Sequence, residues 1–197
     1  MSASTARRVP NDADSGAAHD ERRTRLAAWI VFAVVAFDLL TKAWAVRDLA
    51  DGQVSIIGDT VAFRLARNTG GAFSLFQAFT PVLAIVAGVV AVLLVRTLRR
   101  TRDTLLVVAL AFVLAGSIGN LIDRIFRSPG FLRGAVVDFV HIGQWPTFNV
   151  ADSSITIGAI LVVVWSLRSG ARERHAEAST SGESTSGGSA SGGASGG

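Results

Sequence analysis

Five ionisable residues lie in or beside long apolar stretches of the chain, where a charged side chain is costly and usually serves a function. They are Asp38, Lys42, Asp123, Asp138 and Asp152. Two aspartates with different proton affinities can divide the tasks of acid and base in hydrolysis. Buried acids can also line a path for protons or ions across a membrane. The residue types therefore indicate either acid–base hydrolysis or ion transport.

Asp138 and Asp152 have sequence surroundings of opposite kinds. Asp138 lies within the apolar run 134–140, so desolvation should raise the pKa of its carboxyl group. Asp152 lies at the expected start of a helix, where the helix dipole stabilises a negative charge. Asn149 and Asp152 could instead form a plain N-terminal helix cap, and that alternative stays open. As a pair, the two acids predict a dyad that activates water against an amide carbonyl.

The other charged residues have structural explanations beside functional ones. Asp38 precedes Lys42 by four residues, the favourable order for an ion pair on a helix, and the pair could simply neutralise itself. Asp123 ends an apolar stretch, where the helix dipole disfavours an acid, although Arg124 or Arg127 could compensate. The residues alone therefore leave open whether Asp123 is an ion-pair partner or a catalytic acid.

Other catalytic chemistries find little support in the sequence. The chain has no cysteine, which excludes a thiol nucleophile and a thiolate metal site. The histidines at 19, 141 and 175 are too scattered for a metal site. His141 with Ser153 or Ser154 could form a serine hydrolase, but no nucleophile-elbow motif accompanies them. We therefore predict neither a metal nor another cofactor.

Four apolar stretches must position these residues. The chain has 197 residues, of which 50% are hydrophobic and only 17% are charged. The apolar residues concentrate in the blocks 26–46, 78–95, 104–122 and 150–167, each about as long as the ~17 to 25 residues that cross a bilayer as a helix. This pattern predicts a mainly α membrane protein, a bundle of four transmembrane helices, and excludes a soluble enzyme.

A small β-sheet is predicted on the outer face of that bundle. Residues 61–66 alternate between larger apolar side chains and others with the period of two typical of a strand, and 134–140 is a second strand-like run. Asn68 and Gly70 belong to a predicted turn, 68–71, in which glycine can adopt positive φ. Phe73 and Phe79 belong to an aromatic segment that leads into the second span.

The polar ends and the arginines predict the domain limits and the orientation. Residues 1–23 and 171–197 are predicted to be disordered tails around a membrane domain at 24–170. Arg96, Arg99, Arg100 and Arg102 crowd the shortest connection, which places that loop and both termini in the cytoplasm. The basic pI of about 11.1 therefore reflects topology rather than binding to nucleic acid. A signal peptide cleaved near Ala45 is the alternative for the first stretch.

Five motifs, spread over 28–167, resemble those of the lipoprotein signal peptidases in type and order. They are Asp38-Leu-Leu-Thr-Lys42, Arg67-Asn-Thr-Gly-Gly-Ala-Phe-Ser74, Gly119-Asn-Leu-Ile-Asp-Arg124, Val136-Val-Asp-Phe139 and Phe148-Asn-Val-Ala-Asp152. The chain departs from the usual family pattern at Leu39 and at Ala115-Gly116.

The resemblance implies an aspartyl endopeptidase that cleaves just before the diacylglyceryl-modified cysteine of prolipoproteins. It implies that Asp138 and Asp152 are the catalytic acids. It also implies supporting or substrate-binding roles for a further set: Asp38, Lys42, Asn68, Gly70, Asn120, Asp123, Arg124, Asn149 and Ala151. The expected location is the bacterial inner membrane, with the site at the outer face. We expect a monomer whose partners are prolipoproteins and membrane lipid, with no nucleic acid.

Two other classes of protein compete with this interpretation. A transporter or channel subunit would use Asp38, Lys42 and Asp123 along an ion path. A scaffold would bind other membrane proteins through small-residue faces such as that of Ala115 and Gly119.

Overall fold

Four long helices correspond to the four apolar stretches, and three short strands lie in the connections between them. The computed structural model describes residues 12–58, 60–70 and 80–186. The helices are α1 (Asp12–Asp48), α2 (Thr80–Arg100), α3 (Thr104–Phe126) and α4 (Val150–Ser186). The strands are β1 (Gln53–Ile57), β2 (Val61–Asn68) and β3 (Val136–Ile142). The predicted fold class, mainly α with a small sheet, is confirmed.

Each helix contains a segment that is long and apolar enough to cross a membrane. These segments are His19–Asp48, Thr80–Arg100, Thr104–Phe126 and Val150–Arg172. Their 21 to 30 residues match the ~20 that a bilayer requires. α1 and α4 also continue into the segments predicted to be tails, since α1 begins at Asp12 and α4 ends at Ser186. The domain limits at 24 and 170 stay a prediction.

α3 is the central helix. Half of its apolar segment is buried in the protein, whereas only 6% of the apolar segment of α2 is buried. The valines and leucines of α2 are largely exposed, as expected for a helix that faces lipid. α3 and α4 approach each other at glycines: a Cβ on Gly116 would lie 2.3 Å from the carbonyl oxygen of Ala151. A Cβ on Gly119 would lie 2.5 Å from Asp38 Oδ2. The small-residue face that a scaffold would expose is therefore occupied by the protein's own helices.

The sheet is antiparallel throughout, in the order β1-β2-β3. Ala66 of β2 is paired with Asp138 of β3, and Asn68 with Val136, so the end of β2 runs beside the candidate acid. The strands at β2 and β3 were predicted, whereas β1 was missed because all of its residues are exposed and carry no buried face. Gly70 adopts the expected positive φ of 103°. Its turn partner Gly71 and the segment with Phe73 and Phe79 lie outside the described residues.

Aromatic packing fixes the sheet on the end of α1. Trp44 meets Phe63 and Phe139 edge-on, with ring centroids 5.5 and 6.0 Å apart. Ala45 and Leu49 are buried in the same cluster. These apolar contacts, in which the Trp44 ring is nearly perpendicular to both phenylalanine rings, hold the two site-bearing strands against the end of α1.

The close contact at Gly116 provides a test of the packing. We expect Gly116→Ala to lower the free energy of unfolding by about 1–3 kcal/mol, because the added methyl group meets backbone that cannot move aside. Gly88→Ala is the matched control, since a Cβ at Gly88 has no atom within 4 Å among the described residues. Denaturation in mixed micelles measures both variants, and equal stability of the two would contradict the packing.

Candidate active site

A single buried lysine organises the charges between α1 and α3. Lys42 Nζ lies 2.8 Å from Asp38 Oδ2, 2.9 Å from Asp123 Oδ2 and 3.0 Å from Asn120 Oδ1, and its side chain is fully buried. An ammonium group has three N–H donors, and three acceptors surround this one. The predicted pair of Asp38 and Lys42 is confirmed, but it does not stand alone, because Lys42 also binds α3.

Asp123 forms ion pairs with Lys42 and Arg127 and also accepts a hydrogen bond from the backbone of β3. Its Oδ1 accepts from Arg127 Nε, and its Oδ2 accepts from the backbone N–H of Val137 at 3.2 Å. The carboxylate is thus shared by Lys42, Arg127 and a strand adjacent to Asp138. Of the two sequence alternatives for Asp123, these contacts favour the structural one, since two cations compensate its charge.

Asn149 and Asp152 form a reciprocal helix cap at the start of α4. Asp152 N–H donates to Asn149 Oδ1 at 2.9 Å, and Asn149 N–H donates to Asp152 Oδ2 at 3.2 Å. This is the capping-box arrangement, so the plain structural interpretation of the pair is confirmed. Asp152 also has a contact outside the cap, because its Oδ1 accepts a hydrogen bond from Asn120 Nδ2 at 2.8 Å.

The side-chain amide of Asn149 connects this cap to Asp138. Asn149 Nδ2 donates to Asp138 Oδ1 at 2.7 Å, so one buried residue contacts both candidate acids. The chain between them returns through a tight turn, in which Val140 and Phe148 exchange backbone hydrogen bonds of 2.8 and 3.0 Å. That turn places the end of β3 beside the start of α4 and so brings the two acids into one site.

Burial gives Asp138 an unusual proton affinity. The residue is 2% exposed. Desolvation, and secondly the negative charge of Asp152, raise its pKa to about 6. Hydrogen bonds from Asn68 and Asn149 and the more distant Lys42 act in the opposite direction. The raised pKa expected from the apolar run 134–140 is confirmed, and Asp138 therefore holds a proton more readily than an ordinary aspartate.

Two cavities give access to the acids from different sides. One, of about 540 Å³, contains Asp138, Asn68, Gly70 and Arg124 in its wall. The other, of about 480 Å³, contains Asp152 and an otherwise largely apolar wall. Pro146 lines both cavities, so they adjoin each other at the turn that links the acids.

Arg124 supplies a positive charge in the first cavity. Its Nη1 donates to the carbonyl oxygen of Asn120 at 3.4 Å, which fixes the guanidinium near α3. The group lies within electrostatic range of Asp138 and Asp152. A peptide carbonyl that entered this cavity would therefore meet Asp138 and a cation together, with Asp152 in the adjoining cavity.

The remaining predicted residues join the same network. Asp38 Oδ1 accepts from the backbone N–H of Ala151 at 2.9 Å, which ties α1 to the first turn of α4. Gly70 N–H donates to Asn68 Oδ1 at 2.9 Å. Sequence reasoning missed Pro146 and Val137 N–H, because neither a proline in a loop nor a backbone donor carries a chemical signature.

The alternative catalytic sets are not assembled. Ser153 Oγ donates to the carbonyl oxygen of Asn149 and Ser154 Oγ to that of Phe112, and neither contacts His141. Among the residues described, no group of three or more histidine, aspartate or glutamate side chains could hold a metal ion.

Apolar helices around a cluster of hydrogen-bonded acids are the architecture of a membrane-embedded enzyme, and comparisons with known proteins identify the kind. The family model for signal peptidase (SPase) II matches residues 30–168. The chain therefore belongs to the signal peptidase II family and is a protease.

Relatives and solved structures agree with this family. A lipoprotein signal peptidase from Mycolicibacterium smegmatis is 49% identical over 160 residues, covering 81% of this chain and 68% of that protein. One from Rhodococcus jostii is 48% identical over 163 residues, covering 80% and 82%. Two solved structures described as bacterial membrane enzymes are also similar. The first has a TM-score of 0.61 and is 28% identical, and the match covers 75% of this chain and 90% of that one. The second has a TM-score of 0.59 and is 31% identical, and the match covers 72% of this chain and 92% of that one.

The lysine-centred network provides a second test. We expect Lys42→Met to lower the free energy of unfolding by about 3–5 kcal/mol, because two buried carboxylates lose their shared cation. Arg47→Gln is the control, since Arg47 belongs to the same helix but pairs with Asp48 at the exposed surface. Denaturant titration of both variants measures the effect. A Lys42→Met protein as stable as the Arg47→Gln protein would show that the network carries no stability.

Proposed function

We propose that this protein removes signal peptides from prolipoproteins by means of an aspartate dyad, Asp138 and Asp152. The observation that carries the proposal is the bridge made by Asn149, which contacts both acids where two cavities meet. The family supports lipoprotein signal peptidase activity, and the geometry supports these two acids as its catalytic residues. The scissile bond that we propose is the one just before the diacylglyceryl-modified cysteine.

The two acids have the environments that a division of labour requires. Asp138, with a pKa of about 6, holds the catalytic proton. Asp152 accepts hydrogen bonds from Asn120 and from the backbone N–H of Asn149, which orient its carboxylate. The Asp152 carboxylate is therefore the base and the Asp138 carboxyl group the acid.

The proposed reaction returns both acids to their starting states. Asp152 takes a proton from water as the water oxygen bonds to the carbonyl carbon, and Asp138 gives its proton to the carbonyl oxygen. The neutral tetrahedral intermediate then loses its C–N bond. Asp138 recovers a proton from a hydroxyl of the intermediate, and the proton on Asp152 passes to the leaving nitrogen. Arg124 stabilises negative charge that develops on the carbonyl oxygen.

The lipid on the substrate supports the position of this site. Diacylglyceryl chains partition into the bilayer and hold the scissile bond near the membrane surface, so little binding energy is needed for capture. We place the lipidated cysteine on the Asp152 side, whose cavity has a largely apolar wall that includes Phe148 and Ile157. Asn68 and Gly70, in the wall of the other cavity, face the peptide.

The orientation follows from the arginines at the other end of the bundle. Arg96, Arg99, Arg100 and Arg102 surround the short α2–α3 connection, and this supports a cytoplasmic loop and cytoplasmic termini. The dyad then lies at the outer face of the bacterial inner membrane. We propose that the enzyme acts as a monomer, because all members of the network come from one chain.

The transport alternative fits less well. A proton path needs acids that can change partners, whereas Asp38 and Asp123 are each bonded to Lys42 and to a backbone N–H. Asp138 and Asp152 adjoin each other instead of being distributed along the bundle. The structure therefore favours hydrolysis over transport.

Removing either proposed catalytic acid tests the dyad. We expect Asp138→Asn and Asp152→Asn each to reduce kcat for a lipidated prolipoprotein by at least about 10²-fold, because general acid–base catalysis contributes that much. Asp103→Asn is the control, since Asp103 caps α3 at the opposite end and asparagine also caps helices. Folding of every variant is checked by thermal denaturation. Full activity in a folded Asp138→Asn or Asp152→Asn protein would refute the dyad.

The raised pKa of Asp138 predicts a pH dependence. Because the folded protein keeps the Asp138 proton up to a pH of about 6, kcat/KM should fall as the pH rises through that value. Because the folded protein binds this proton more tightly than the unfolded chain does, the fold gains a stabilising contribution that is fully present below the ordinary aspartate pKa and is lost as the pH rises through about 6. Asn68→Ala removes a hydrogen bond that lowers the pKa, so the falling limb should move to higher pH.

Titration of ¹³C-labelled aspartates by NMR, without substrate, measures the same pKa directly. Arg64→Gln is the matched control, because Arg64 belongs to the same strand but bonds Thr147 instead of Asp138. An Asp138 that titrates near its ordinary value, or an equal shift in both variants, would contradict the prediction.

A further inference from the structure

A groove runs between α1 and α2, from the end of the bundle that carries the α2–α3 connection as far as Leu39. Its floor is α3, with Leu114 and Ile118. Its long wall is α1, from Thr24 to Leu39, and its short wall is the last turn of α2, with Leu98 and Arg99. The space measures about 610 Å³ and is lined almost entirely by apolar side chains. The mechanism proposed above makes no use of it.

The groove is long enough and apolar enough to take a hydrocarbon chain. Fifteen helical steps from Thr24 to Leu39 make the groove roughly 22 Å long. An alkyl chain, whose atoms contact neighbours at about 4 Å, fits in the space.

Among the described residues that line the groove, the one charged side chain is Arg99, at its membrane-surface end. Arg99 has no carboxylate partner in the part of the chain that the structure describes, whereas the nearby Arg23 and Arg25 are paired with Asp20 and Glu21. A free guanidinium above an apolar slot matches a molecule with an anionic head and an apolar tail. The same charge would repel the positive N-terminal region of a signal peptide.

We propose that this groove binds one acyl chain of an anionic phospholipid, whose phosphate pairs with Arg99. The lipid fills the gap between α1 and α2 and so supports the helix that carries Asp38 and Lys42. The site takes its lipid from the leaflet opposite the dyad. The proposal depends on the apolar helices and not on the catalytic role of Asp138 or Asp152.

Lipid binding to the purified, delipidated protein tests the charge. Native mass spectrometry measures the Kd for phosphatidylglycerol and for phosphatidylcholine with the same acyl chains. We expect Arg99→Gln to weaken phosphatidylglycerol binding about fivefold, the effect of one basic residue near a phosphate, and to leave phosphatidylcholine unchanged. Arg100→Gln is the matched control, since Arg100 is adjacent in sequence but does not line the groove. Equal losses in the two variants would overturn the proposal.

A second pair of variants tests the slot itself. Ala36→Phe fills the groove and should weaken binding of both lipids at least fivefold, whereas Val89→Phe, on the exposed face of α2, should not. Thermal denaturation confirms that both proteins fold. If Ala36→Phe left lipid binding intact but raised KM for a prolipoprotein, the groove would belong to the substrate's helix and the phospholipid proposal would be wrong.

Discussion

The buried ammonium group of Lys42 is the constraint on which the other parts of this structure depend. A charge at membrane depth costs about 2.5–3.5 kcal/mol even on the lowest scales, so it persists only with partners. Here the partners come from two helices, and two of them extend the network further. Asp38 continues to the backbone of Ala151 in α4, and Asp123 to the backbone of Val137 in β3. One cation thereby links three helices and the sheet.

This arrangement separates two kinds of carboxylate. Asp38 and Asp123 bond directly to cations, which compensate their negative charges. Asp138 and Asp152 receive hydrogen bonds from asparagine amides, which orient a carboxylate without cancelling its charge. Asn120 joins the two kinds, since its Oδ1 accepts from Lys42 while its Nδ2 donates to Asp152. The lysine network thus positions Asp138 and Asp152 without pairing either carboxylate directly with Lys42.

The bundle has distinct chemistry at its two ends. At one end lies the sheet, which packs on Trp44. Beside it, Asp138 lines a more polar cavity and Asp152 lines a largely apolar one. At the other end, Arg99 of α2 lies in the wall of an apolar groove. Both ends are suited to amphiphiles, which a membrane protease of lipoproteins must distinguish from bulk lipid. Asp138 and Asp152 lie at only one of these ends, so only that end can perform the proposed hydrolysis.

Much of this protein could be predicted from its sequence, because the determining features are local. Apolar length predicted the four helices, alternation predicted β2 and β3, and the run around Asp138 predicted its raised pKa. The motif set indicated the family. The sequence could not decide between Asp123 and Asp138, nor find β1, whose residues have no buried face. The choice between the acids depends on contacts such as that of Lys42 with Asn120, 78 positions away, and on the turn that brings Asn149 to Asp138. Periodicity encodes which face of an element is buried; only the packing of helices against one another decides which buried charge meets which partner.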